Sequence, residues 1–239
     1  MTTFLSVIIP AHNEENRLPN TLEQVIRFLD QQAFTSEIIV VENGSIDQTL
    51  AVAQQFVKQH QQVRVMQSER GKGAAVKHGM LAAKGEYRFM CDADLSMPIE
   101  EILKFIPPAL ENVDIAIASR EAKGAVRYNE PSYRHLGGRG INFLIQVLIL
   151  PGLNDTQCGF KCFRADVAKK VFDKQTLSGW SFDIEILFIA RKYGYDVQEI
   201  PIHWYHDSDT KVRALPDAIR MFRDIFRIHA NAQRGAYKK

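Results

Sequence analysis

Two aspartates one residue apart, Asp92 and Asp94, follow the apolar run "YRFMC" (87–91) in "YRFMCDADLS". Carboxylates this close raise each other's proton affinity unless a cation lies between them. Hard divalent ions such as Mg2+ or Mn2+ take oxygen ligands and share them with substrate phosphates, so the pair predicts a metal–diphosphate site. The competing reading, a turn capped by Asp92 with Asp94 facing water, is weakened by the apolar run that leads into it. Two more polar clusters, "PAHNEE" (10–15) and "ENGSIDQT" (42–49), end apolar runs in the same way. Each alone could be turn and cap chemistry, with Asn43-Gly44-Ser45 as the turn and Asp47 as the cap. Three such clusters at matching positions are hard to obtain by accident. In "ERGKGAAVKHGM" (69–80) two glycines flank Lys72 at the start of a helical segment, offering backbone amides and a positive helix end to an anion. It is not a P-loop, because no Ser or Thr follows the lysine.

The elements that must hold these clusters follow from periodicity. Short β-branched runs at 4–9, 36–41, 63–66, 87–91 and 114–119 alternate with segments at helical period, which predicts β-α units on a mainly parallel sheet. Leu22, Val25, Ile26 and Leu29 mark one face of the first helix, while Ala51, Phe56 and Val57 lie in the second. In such sheets ligands bind outside the carboxyl ends of the strands, where strand order reverses. All three acidic clusters are expected there. Beyond residue 120 the pattern loosens into a polar loop (120–133), an apolar helix (134–149), the segment "DTQCGFKCF", a helix (181–194), a strand "DVQEIPI", a charged loop and a last helix (215–230). No repeat or linker intervenes, so residues 1–239 are expected to form one domain.

Lys+Arg 30 against Asp+Glu 28 leaves a net charge of +2 and no global field to recruit nucleic acid. Cys91, Cys158 and Cys162 lack the paired spacing of a zinc site or disulfide framework, which reads as a reducing, cytoplasmic compartment. The apolar run "INFLIQVLIL" is about half of the ~20 residues that span a bilayer, and no leader pattern precedes "FLSVIIP". A membrane-spanning chain is not expected.

Taken in order, "SVIIPAHNEE", "VVENGSIDQT", "RGKGAAVKHGM", "DADLS", "DTQCGFKCF" and "WSFDIEIL" resemble the inverting, nucleotide-sugar-dependent glycosyltransferases of the A-type fold. More narrowly they resemble the polyprenyl-phosphate sugar transferases, above all the dolichyl-phosphate β-glucosyltransferase group. The likeness runs over residues 4–230, with "DTQCGFK" and "FDIE" its most specific parts. It implies a single Rossmann-like α/β domain, with residues 1–119 as the nucleotide-binding half and 120–239 as the acceptor half.

The resemblance also implies roles. Pro10, Ala11, Asn13 and Glu14 would line the nucleoside, and Asp47 with the turn at Ser45 would close around the base. The family commonly has Asp-Asp-Gly-Ser where this chain has Glu42-Asn43-Gly44-Ser45. An Asn amide both accepts and donates, which suits the uracil N3–H and tilts the donor toward UDP over GDP. Lys72 would offset diphosphate charge, and Asp92 and Asp94 would hold Mg2+ or Mn2+. A third ligand found in mannosyl-transferring relatives is replaced by Ser96, leaving that place to water. Asp183 matches the acidic position that serves as general base toward hydroxyl acceptors; a phosphate acceptor is already anionic and needs no proton removed. Glu185, two residues on, would point elsewhere on a helix. Arg120, Arg134 and Lys211 would hold the acceptor phosphate, although an expected serine is Gly138 here. The implied reaction moves a hexose, glucose from UDP-glucose, onto a polyprenyl or dolichyl phosphate.

Two helices bear on how such a lipid is reached: "RHLGGRGINFLIQVLIL", strongly apolar beyond its basic start, and the last. The last one sets Arg220, Arg223 and Arg227 along one face and Ile219, Phe222 and Phe226 along another. Docking of that apolar face on the core is the favoured expectation, with peripheral contact at a cytoplasmic membrane surface as the alternative. Rival functions are transfer to a saccharide or small-molecule hydroxyl, GDP-mannose-dependent mannosyl transfer, sugar-phosphate nucleotidyl transfer and a non-catalytic nucleotide-sugar sensor.

Overall fold

The computed structural model describes residues 2–207 and 214–238, without the side chains of 133, 134, 136, 214 and 215. Its strands are β1 (Leu5–Ala11), β2 (Ser36–Glu42), β3 (Val63–Gln67), β4 (Tyr87–Met90), β5 (Ile115–Ser119), β6 (Val126–Tyr128), β7 (Lys161–Arg164), β8 (Val197–Pro201) and β9 (His203–Tyr205). Its helices are α1 (Leu18–Asp30), α2 (Thr49–Gln59), α3 (Lys72–Ala82), α4 (Ser132–Leu148), α5 (Ala165–Lys174), α6 (Phe182–Tyr193) and α7 (Ala214–Gln233). A 3-10 helix (Ile99–Phe105) stands where the alternation predicts an α-helix between β4 and β5.

Seven strands form one sheet in the order β3-β2-β1-β4-β7-β5-β8. Every neighbouring pair is parallel except those made by β7. The strand β1 is buried throughout: Leu5, Val7 and Ile9 enter one apolar layer and Ile8 the other. Burial on both faces is what a central parallel strand between helical layers requires. Each such side chain removed from water stabilises the fold by about 1.5–3 kcal/mol. The face predicted for α1 is the one buried, with Leu22, Val25, Ile26 and Leu29 at 5% exposure or less. Ala51, Phe56 and Val57 fall within α2 as expected, although the residues it buries are Thr49 and Ala53 and Val57 lies outward.

Strand order reverses between β1 and β4, since the chain winds outward through β2 and β3 and then returns to the other edge of β1. The antiparallel β7 has a positional consequence. Its first residue, Lys161, pairs with Met90 near the end of β4 and with Ile117 of β5. The segment "DTQCGFK" therefore arrives at the same edge of the sheet as the acidic clusters.

The docking expected for the apolar face of α7 is not what folds. Met221, Ile225 and Ile228 face the core, whereas Ile219, Phe222 and Phe226 are 49%, 46% and 58% exposed. The period offers two apolar stripes, and the aliphatic one matches the core pocket beside Ile145 and Ile149.

Candidate active site

A cleft of about 930 Å3 opens at the carboxyl edge of the sheet, at the β1/β4 reversal. Pro10, Glu14, Asn43, Lys72, Asp92, Asp94, Arg120 and Asp183 line it. Ala11, Asn13, Ser45 and Asp47 do not; they build the wall behind. Asn13 Oδ1 accepts from the Ile46 amide at 2.9 Å, and Ser45 Oγ accepts from the Asn13 amide at 3.0 Å. Asp47 accepts from the Thr49 amide at 3.0 Å and from the Glu15 amide at 3.2 Å, so it ties the two loops together and orders the start of α2.

Glu42 turns back into its own loop. Burial alone would raise its pKa, but bonds from Ser45, Gln67 and Gly44 hold it below the ordinary range. That leaves Asn43, 4% exposed, as the polar group of this turn facing the cleft. Its Oδ1 has no hydrogen-bond partner among the described residues. A buried acceptor left unmatched costs free energy that a ligand N–H can return.

The acid pair sits on a turn in which Leu95 takes φ 45°, an unfavourable setting for a branched residue that lies at functional sites more often than elsewhere. Lys72 Nζ lies 2.7 Å from Asp92 Oδ1 and 2.9 Å from Oδ2. Behind it stands Trp180, whose ring centroid is 5.1 Å from the ammonium. Burial by itself would lower the Lys72 pKa, yet Asp92, Asp183 and Asp94 hold it above the usual lysine range. Asp94 opens to the cleft. Burial, then the charge of Asp92, pushes its carboxyl above the ordinary aspartate range, against the pull of the Ser96 amide at 3.0 Å. Gly159 makes room for this arrangement: a Cβ there would fall 2.3 Å from Asp92 Oδ2.

Asp183 lies in the first turn of α6, where the helix dipole favours a carboxylate. Its Oδ1 is 2.7 Å from Nζ of Lys161, a lysine that is 0% exposed and also donates to the Cys158 carbonyl at 2.6 Å. Glu185 turns away from the cleft, as the helical spacing predicts. It accepts from the Thr176 and Leu177 amides at 2.9 and 2.8 Å and from the Tyr237 hydroxyl at 2.6 Å.

Of the three expected phosphate contacts, only Arg120 can be placed. It donates to fully buried Asp155 through Nε at 2.7 Å and Nη2 at 2.9 Å, and its guanidinium lies 5.3 Å from the Trp204 ring. The Nη1 edge remains for a ligand. Lys211 and the side chain of Arg134 lie outside the described residues. Gly138 lines the cleft from α4.

Among the described residues no group of three or more His, Cys, Asp or Glu side chains has a metal-binding arrangement. Asp92 and Asp94 would then form a donor set of two carboxylates. It suits Mg2+ or Mn2+, which accept few protein carboxylates and complete their shell with phosphate oxygens and water, and it does not suit a zinc cage.

Sequence reasoning missed Lys161, Asp155 and Trp180. Both charged residues sit in "DTQCGFK", where an acid and a lysine six residues apart carry no helical or strand period. Their partners, Asp183 and Arg120, are distant in sequence. Trp180 stands three residues before Asp183, and an aromatic that close to a candidate catalytic acid was a usable signal.

The family model described as "Glycosyl transferase family 2" matches residues 6–172. The chain is 35% identical over 250 residues to a dolichyl-phosphate beta-glucosyltransferase of Drosophila melanogaster, covering 98% of this chain and 77% of the relative. It is 32% identical over 253 residues to the Homo sapiens protein of the same name, covering 99% and 78%. Among solved structures, glucosyl-3-phosphoglycerate synthase from Mycobacterium tuberculosis in complex with Mn2+ and uridine-diphosphate-glucose superposes with a TM-score of 0.63 at 16% identity, over 94% of this chain and 77% of that one. At that identity the likeness establishes the fold.

Proposed function

The chain belongs to glycosyl transferase family 2, and from that premise we propose that it moves glucose from UDP-glucose onto a dolichyl or polyprenyl phosphate with inversion at the anomeric carbon. The observation that carries this reading is the meeting of Asp92, Asp94, Asp183 and the orphaned Asn43 amide oxygen in one cleft at the sheet's reversal point. Residues 1–239 act as one domain, with 1–119 binding the nucleotide and 120–239 the acceptor.

Asn43 accepts the uracil N3–H, Pro10 and Glu14 bound the nucleoside, and the loops fixed by Asn13, Ser45 and Asp47 set its distance from the acids. Asp92 and Asp94 would hold Mg2+ or Mn2+, which would supply Lewis-acid stabilisation of the departing diphosphate. An acceptor phosphate oxygen attacks the anomeric carbon as the bond to UDP breaks. Arg120, through Nη1, together with Arg134 and Lys211, binds that phosphate. The nucleophile arrives ionised, so Asp183 holds Lys161 in place at the wall of the cleft and removes no proton.

Among the described residues no helix is long and apolar enough to cross a membrane. Access to a lipid acceptor is proposed to come from peripheral contact at a cytoplasmic membrane surface. Gly137 and Ile141 of α4 and Ala218 and Met221 of α7 line the cleft. The same helices expose Phe143, Val147, Phe222 and Phe226, with Arg223 and Arg227 exposed alongside, a combination suited to anionic lipid.

The test is a transfer assay with UDP-glucose or GDP-mannose as donor and dolichyl phosphate or free sugars as acceptor. Label passing from UDP-glucose into a lipid-soluble, acid-labile product supports the reading. Transfer only to free sugars, or only from GDP-mannose, overturns it.

A further inference from the structure

We propose that Lys72 is a displaceable internal counter-ion of Asp92, which makes the binding of a divalent cation conditional on the diphosphate that accompanies it. The inference rests on the metal–diphosphate reading of the cleft and adds an order of events to it. The ammonium straddles both oxygens of Asp92, at 2.7 and 2.9 Å. Those are the oxygens through which the carboxylate would ligate a cation. A lysine ammonium is a compact point charge, so it and a divalent ion cannot share one carboxylate without strong repulsion.

Lys72 cannot withdraw by moving its backbone. A Cβ on Gly71 would lie 2.3 Å from the Ser178 carbonyl oxygen, and one on Gly73 would lie 2.6 Å from Phe182 Cβ, so the loop before α3 is seated on the 177–182 segment. The Trp180 ring also packs on the ammonium, its centroid 5.1 Å away. The change open to Lys72 is a swing of its side chain. An ammonium drawn off its carboxylate inside the protein strands its charge. It therefore needs an anion to go to. Asp94 and Asp183 remain in the cleft, but each has its own partner, the Ser96 amide and Lys161. The diphosphate is the anion that arrives from outside. When Lys72 transfers to it, Asp92 is released. By linkage, whatever the diphosphate does for cation affinity the cation does equally for diphosphate affinity.

The test is Mn2+ titration of the purified protein without nucleotide, following free Mn2+ by electron paramagnetic resonance. Lys72→Met should bind Mn2+ about tenfold more tightly than wild type, within the usual range of coupling between sites. Arg70→Met removes another cleft cation that does not touch the acid pair, and it should change the affinity less than about twofold by the same scale. With metal saturating, UDP should bind Lys72→Met more weakly than wild type. Equal Mn2+ affinity in Lys72→Met and wild type, or an equal gain in Arg70→Met, overturns the proposal. A second measurement needs no variant. The Lys72 ammonium signal in a 15N-lysine NMR spectrum of wild type should stay put with Mg2+ alone and move with Mg2+ plus UDP; movement with Mg2+ alone overturns the proposal. Absence of Mn2+ binding even with UDP would instead overturn the metal reading itself.

Discussion

Lys161 and Asp183 form an ion pair, Nζ to Oδ1 2.7 Å, that is almost wholly sealed from water yet stands at the wall of the cleft. A buried pair of this kind is neutral as a unit, and losing one member strands the other's charge. Lys161→Met should destabilise the protein by about 3–5 kcal/mol, with Lys161→Met/Asp183→Asn recovering much of it. Chemical denaturation of the three proteins measures both effects.

Asp183→Asn separates the two acceptor classes. General acid–base catalysis contributes roughly 10²–10⁴-fold to a rate. With an ionised phosphate acceptor the fall in kcat should stay below about 10²-fold, mostly reflecting lost orientation. A larger fall with dolichyl phosphate would mean that Asp183 does take a proton.

Glu185 provides the contrast two residues away. It receives the Thr176 and Leu177 amides and the Tyr237 hydroxyl, far from the reacting groups. Glu185→Ala should cost about 3 kcal/mol through unmatched buried donors while transfer per folded molecule is kept. Unfolding curves combined with active-site titration test this.

Gly159→Ala should act on the acids without replacing a polar group. Its methyl would fall 2.3 Å from Asp92 Oδ2 and displace that carboxylate from Lys72 and from any bound cation. Calorimetry is expected to show weaker Mn2+-dependent UDP binding with a native circular dichroism spectrum.

Arg120 and Asp155 predict a pH dependence. Burial alone would raise the Asp155 pKa, but Arg120 and its hydrogen bonds hold it below the ordinary aspartate value. The unfolded chain thus binds the Asp155 proton more tightly than the folded one does. The stabilisation is complete above the unfolded value near ~3.9 and is lost as pH falls below it toward the folded pKa. Asp155→Asn should remove that part of the acid slope in denaturation profiles below about pH 4.

Much of residues 1–119 was legible because its information is local. β1, β2 and β4 are apolar runs ending in polar clusters, and parallel winding brings those ends together without reference to any distant residue. Residues 120–239 depend on contacts far apart in sequence. β7 has only four residues, "KCFR", too short to express a period, and its antiparallel pairing with β4 and β5 is what delivers Lys161 to Asp183. α5, at Ala165–Lys174, follows it directly and was hidden by the same crowding. On α7 two apolar stripes compete, and only the shape of the core selects Met221, Ile225 and Ile228 over Phe222 and Phe226.

The central claim is that Asp92 and Asp94 jointly ligate a divalent cation beside the diphosphate of UDP. Anomalous diffraction at the manganese edge, from crystals grown with Mn2+ and UDP, addresses it directly. The account predicts one peak within ligand distance of both carboxylates, with Lys72 moved off Asp92. A nucleotide seated in the cleft with no peak at either aspartate would contradict it.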